Sequence, residues 1–115
     1  MTVTIYHNPR CSKSRATLAL LEERGIEPEI RRYLDDPPDA AELRRLLGML
    51  GLEPRQLMRK GEAEYREQGL ADESLGDEQL IAAMAATPKL IERPIVVAGG
   101  KAALGRPPES VLEIL

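Results

Sequence analysis

The sequence predicts an α/β fold in which a strand, helix, strand opening and a hairpin-plus-helix ending flank a run of helices. Three features carry that expectation. A β-prone tetrapeptide near the start runs into a polar turn and a helical stretch; a long central region has helical apolar spacing; strand spacing returns around a Gly-Gly pair near the end.

Residues 3–6, VTIY, read as the first strand. The polar turn His7-Asn8-Pro9 follows, and SKSRATLALLEER from Ser12 reads as a helix closed by Gly25. A second β-prone piece, EIRRYL at 29–34, comes after Pro28, so the first third reads as a βαβ unit with a parallel strand pair. Asp39, with Glu42 three residues on, marks a helix start, and Leu43, Leu46, Leu47 and Leu50 supply its apolar stripe up to Gly51. The stretch 54–70 reads as one or two short helices around Gly61, and DEQLIAAMAA at 77–86 as an amphipathic helix stopped before Pro88. PIVVA at 94–98, the turn pair Gly99-Gly100 and KAAL make a hairpin, and PPESVLEIL reads as a closing helix with Pro108 near its start. The order βαβ, helices, ββα matches a thioredoxin-like α/β sandwich: one domain over 1–115, with a helical insertion at about 39–87.

A chain of 115 residues has the size of one domain. Phe and Trp are absent and the aromatics amount to three Tyr, so the core must come from Leu, Ile, Val, Ala and Met, and nucleic acid is not an expected partner. The formal net charge of -3 repels polyanions overall, yet clustered arginines can still bind one small oxyanion. No segment approaches the roughly 20 apolar residues of a membrane span, and no N-terminal stretch joins a basic region to an apolar run. With a single cysteine, which cannot form an internal disulfide, this points to the reducing cytoplasm, no membrane partner, and redox chemistry that depends on an outside thiol.

Cys11 is the only cysteine and His7 the only histidine, both within HNPRCSKSR at 7–15. A lone cysteine taken at random is more often a packing residue than a catalyst. Here it follows the turn pair Asn8-Pro9 and precedes a helix, so its sulfur faces the first-turn N–H groups, where a thiolate is stabilised by the helix dipole and by Arg10, Lys13 or Arg15. The same N–H groups, with the hydroxyls of Ser12 and Ser14, make an anion cradle. Arg59, Arg93 and Arg106 each lie at a turn or element end. Taken singly each is a solvated surface arginine; together they can converge on the mouth of a thioredoxin-like site. Pro94, directly after Arg93, suits a cis-proline or an edge-strand start. His7 can perturb the thiol or serve as a hydrogen-bonded turn residue.

In this order HNPRCSKSR, LMRKGE, ERPIVV and GRPPE, with YLDDPP and QLI between them, make the chain resemble the glutaredoxin-coupled arsenate reductase family of bacteria, from about residue 3 to residue 115. The resemblance implies that Cys11 is the nucleophile that bonds arsenate and that His7 tunes it. It implies that Arg59, Arg93 and Arg106 bind and orient the oxyanion, with Ser14 and Arg15 beside them. It also implies a thioredoxin-like fold with a helical insertion and a cis-proline at Pro94. The resemblance further implies no bound cofactor or metal, with glutathione as co-substrate and glutaredoxin as the partner that reduces the adduct. Planar arginine forks match the oxygens of a tetrahedral anion, and fixed positive groups let a thiolate approach it. Two other readings share the site. A glutathione-dependent reductase of mixed disulfides would need no arginine clamp, and a non-enzymatic regulator of the Spx type carries a Cys-x-x-Cys pair whose second position is Ser14 here.

Overall fold

The computed structural model describes residues 2–115. The chain divides into two compact units: the residues up to Asp36 together with Arg93–Leu115, and Pro37–Glu92.

In the first unit, β1 (Val3–Tyr6), α1 (Ser12–Glu23) and β2 (Glu29–Arg31) form the βαβ unit, and β3 (Ile95–Ala98) and β4 (Lys101–Leu104) form the hairpin. The sheet order is β2-β1-β3-β4, with β1 parallel to β2 and antiparallel to β3. Gly25, at φ 74, lets α1 end in a Schellman closure: Ile26 N–H reaches Leu21 O and Gly25 N–H reaches Glu22 O, both at 3.0 Å. Gly99 and Gly100, at φ 57 and 78, give the two positive dihedrals of the tight hairpin turn. Val3, Ile5, Leu21, Val96, Ala98 and Val111 form the buried cluster of this unit, from strands β1 and β3, helix α1 and the closing segment Pro108–Ile114. That composition is the Leu/Ile/Val core expected of a chain without Phe or Trp.

Two elements differ from expectation. The second strand stops at Arg31 rather than 34, because Asp35 and Asp36 N–H groups both turn back to the carbonyl of Arg32, at 3.0 and 2.9 Å. β2 is thus a three-residue edge strand with Ile30 half exposed. The closing segment, Pro108–Ile114, winds as a 3-10 helix instead of an α-helix. Its bonds span three residues, as in Ser110 N–H to Pro107 O, the form that short terminal segments favour.

The second unit contains α2 (Ala40–Leu50), α3 (Pro54–Leu57), α4 (Ala63–Glu67), α5 (Asp77–Ala86) and a 3-10 turn at Pro88–Leu90. Asp39 caps α2, accepting from Glu42 N–H at 2.8 Å. Leu43, Leu46 and Leu47 of α2 are buried with Leu57, Leu80, Ile81, Met84 and Leu90, which makes this unit's apolar interior.

Candidate active site

The sheet register carries the site residues of the first unit together. β1 pairs with β3 so that Tyr6 lies opposite Ile95, and β3 pairs with β4 so that Ile95 lies opposite Leu104. One step further out, Gly105 N–H bonds Pro94 O at 3.0 Å, which puts Arg93 and Arg106 at matched positions beyond the strand ends. The chain leaving β1 at that end is the His7–Cys11 turn. The Arg93-Pro94 bond is cis, and Pro94 precedes a central strand rather than an edge one.

The turn is held by its own polar groups. Asn8 Oδ1 accepts from Arg10 N–H and Asn8 O accepts from Cys11 N–H, both at 3.0 Å. Arg15 reaches back from α1 and donates to Pro9 O at 3.0 Å, so its guanidinium latches the loop. Cys11 then sits at the N-cap of α1, with φ -94 and ψ 123 and no cap hydrogen bond from its side chain.

The thiol is buried, which pushes its pKa up, but four other influences outweigh this and hold it below the ordinary thiol value. They are the Ser14 N–H, the positive charge of Arg93, the Lys13 N–H and the Ser14 hydroxyl. Ser14 is fully buried beneath the helix start rather than offered to solvent. Arg106 Nη2 lies 3.9 Å from Cys11 Sγ, while its Nε donates to Arg93 O at 2.8 Å, so the guanidinium is fixed by one edge and faces the sulfur with another. Arg106 itself is exposed. A nucleophilic sulfur flanked by a helix start and two guanidinium groups suits attack on an oxyanion.

His7 is buried and its pKa is held below the usual value by burial, then by Arg32 and Arg15. It is therefore neutral near pH 7 and supplies no positive charge to the thiol. Arg59 belongs to the second unit. There its Nη1 pairs with Glu62 Oε1 at 2.7 Å and its backbone N–H bonds Leu90 O at 2.7 Å. Among the described residues, no three His, Cys, Asp or Glu side chains cluster as metal ligands would.

Two contributors escape a motif reading. One is the carbonyl of Arg93, which fixes Arg106. The other is Gly105: a Cβ there would collide with Thr17 Oγ1 and lie 2.7 Å from Pro94 Cγ. Thr17 is fully buried and tied to Lys13 O at 2.8 Å, so it cannot move aside cheaply. Gly105→Ala should therefore cost about 1–3 kcal/mol of stability, read as a lowered denaturation midpoint at unchanged m-value. A variant as stable as the parent would show that the close approach has slack.

The model of the ArsC family matches residues 6–114. The chain belongs to the ArsC family. Its fold is the thioredoxin-like one that the sequence predicts. This ArsC-family chain is 63% identical over 114 residues to the Escherichia coli (strain K12) protein named "Uncharacterized protein YfgD", covering 98% of this chain and 96% of that one. It is 52% identical to an "Arsenate reductase" of Neisseria meningitidis serogroup A, over 98% of this chain and 97% of that one. The solved "Arsenate reductase from Vibrio cholerae" superposes with a TM-score of 0.98 at 59% identity, over 100% of this chain and 98% of that one.

The lowered thiol pKa has a direct readout. The rate of Cys11 alkylation by iodoacetamide should rise with pH through an inflection below about 8.5, the value of a free thiol. Because the folded-state pKa is the lower one, the thiolate adds stability that is complete above the unfolded pKa and is lost as pH falls through the folded one. An inflection at or above 8.5, on the order of a free thiol's value, would count against activation.

Proposed function

We propose that the protein reduces arsenate to arsenite through a covalent bond between Cys11 and arsenic, resolved by glutathione and glutaredoxin. The observation that carries this reading is the guanidinium of Arg106 held 3.9 Å from a thiol whose pKa is lowered. A reductase of mixed disulfides has no use for such a group, whereas an oxyanion needs it. The relatives named as arsenate reductases support the same substrate.

In this scheme the Cys11 thiolate attacks arsenic, and one arsenate oxygen leaves as water after taking up protons. Arg93 and Arg106 offset the negative charge on the remaining oxygens. The thiol of glutathione displaces a second oxygen as water, which gives a Cys11–arsenic–glutathione adduct. A glutaredoxin thiolate then attacks the glutathione sulfur. The arsenic–sulfur bond breaks with its electron pair left on arsenic, which falls from As(V) to As(III), while the two sulfurs are oxidised to a mixed disulfide. Water displaces arsenic from Cys11, releasing arsenite and the thiol. The chain's one cysteine accords with external resolution.

The test is arsenite release with glutathione and glutaredoxin present, compared with thioredoxin and its reductase alone. Turnover should require the first set. A full rate with thioredoxin and no glutathione would replace the donor, and no arsenite under either condition would remove arsenate as substrate.

A further inference from the structure

A cavity of about 260 Å³ opens beside the turn that precedes Cys11, lined by His7, Asn8, Pro9, Arg10, Arg32, Leu34 and Asp35. Apart from His7 and Arg10, named above as influences on the thiol, none of these residues has a place in the arsenate chemistry. The cavity has a buried polar wall and a charged rim. His7 is buried, and its Nδ1 has no hydrogen-bond partner, an uncommon state for a buried ring nitrogen. Arg10, Arg32 and Asp35 are exposed. Two cationic groups and one carboxylate around a single opening match a molecule that carries both charges. They disfavour a bare oxyanion, which Asp35 would repel.

We infer that this cavity is the subsite for the zwitterionic, amino-acid end of the external thiol. The inference rests on the proposed function for its need of such a thiol. Size sets the extent of the contact: the volume falls below the roughly 300–1,000 Å³ of a cavity that encloses a whole drug-sized ligand, so it takes one end of a small peptide and leaves the rest outside. Arg32 and Arg10 receive the α-carboxylate, Asp35 the ammonium, and His7 Nδ1 a polar group of the peptide. The turn is the shared wall. Arg10 lines the cavity and Cys11 is the next residue, its N–H bonded to Asn8 O at 3.0 Å, so the opening lies one residue along the turn from the thiol-bearing position.

S-methylglutathione, which keeps both charged ends but has no reactive thiol, tests the subsite by calorimetric titration without turnover, so the result stands whether or not arsenate is the substrate. The wild-type protein should bind it saturably. Arg32→Ala should weaken binding about tenfold, as expected for a lost charge-assisted pair, with partial recovery in Arg32→Lys. N-acetylation of the same ligand should weaken it on the wild type and make no difference to Asp35→Asn. These side chains are exposed, so the variants should fold. No saturable binding by the wild type, or equal affinity in wild type and Arg32→Ala, overturns the assignment.

Discussion

Cys11→Ser is expected to lower arsenite release by about 10⁴-fold or more while the protein folds as well as before or better. A serine hydroxyl is not ionised near neutral pH, and the groups that pull the Cys11 thiol down act on a group many units too basic to respond. Stability should move the other way. Cys11 occupies the N-cap of α1 in extended geometry, where the Ser14 and Lys13 N–H groups favour its thiolate but the neutral sulfur closes no cap hydrogen bond. Serine is among the preferred residues at that position, and its oxygen can accept an N–H of the first turn, an exchange worth about 0.5–2 kcal/mol against a non-capping residue. A thermal melt read beside the arsenite assay checks both halves. Retention of activity within tenfold of the parent would rule out a covalent thiol route. A sharp fall in Tm would mean that the sulfur is a packing residue after all. The expected opposition of the two effects says that chemistry, rather than helix formation, places cysteine here.

Arg106→Lys is expected to lower kcat/KM for arsenate ten- to a hundredfold, with little change in Tm. The substitution keeps the charge and removes the fork. In the parent, Nε is anchored on Arg93 O at 2.8 Å, which leaves Nη2 at 3.9 Å from the sulfur with its direction fixed. Lysine has one nitrogen on a flexible stem and cannot bond the carbonyl and face the oxyanion at once. A hydrogen bond to a charged group contributes about 1.5–3 kcal/mol, which sets the range given. Because the charge survives, the pH profile of Cys11 alkylation should shift little, and this separates positioning of the substrate from activation of the thiol. Arginine-like kcat/KM in the lysine variant would reduce Arg106 to a source of charge.

Much of the fold is a matter of local chemistry, and those parts were legible. VTIY, the Gly25 closure of α1, the Asp39 cap of α2, the stop of α5 before Pro88 and the Gly99-Gly100 turn each depend on side chains within a few residues of one another. The sequence by itself also determined that Cys11 stands at a helix start, since a turn, a cysteine and a helix start are consecutive in HNPRCSKSR. Where a strand or helix had to compete with a nearby turn or a chain end, local reading failed: β2 yields to the Arg32 turn, and the last segment stays a 3-10 helix. What only the tertiary structure decided is the company that Cys11 keeps. Arg106 is 95 positions away along the chain and meets the sulfur through two sheet registers. Its direction depends on the carbonyl of Arg93, a group every residue has and no motif can mark. Gly105 is needed because Thr17 and Pro94 crowd it from distant parts of the chain. The cavity beside the turn likewise joins residues 7–10 to 32–35 through the parallel pairing of β1 and β2. Residue type and spacing record the preferences of neighbours in sequence, whereas these contacts arise from strand pairing and packing, which act between segments that the sequence leaves far apart.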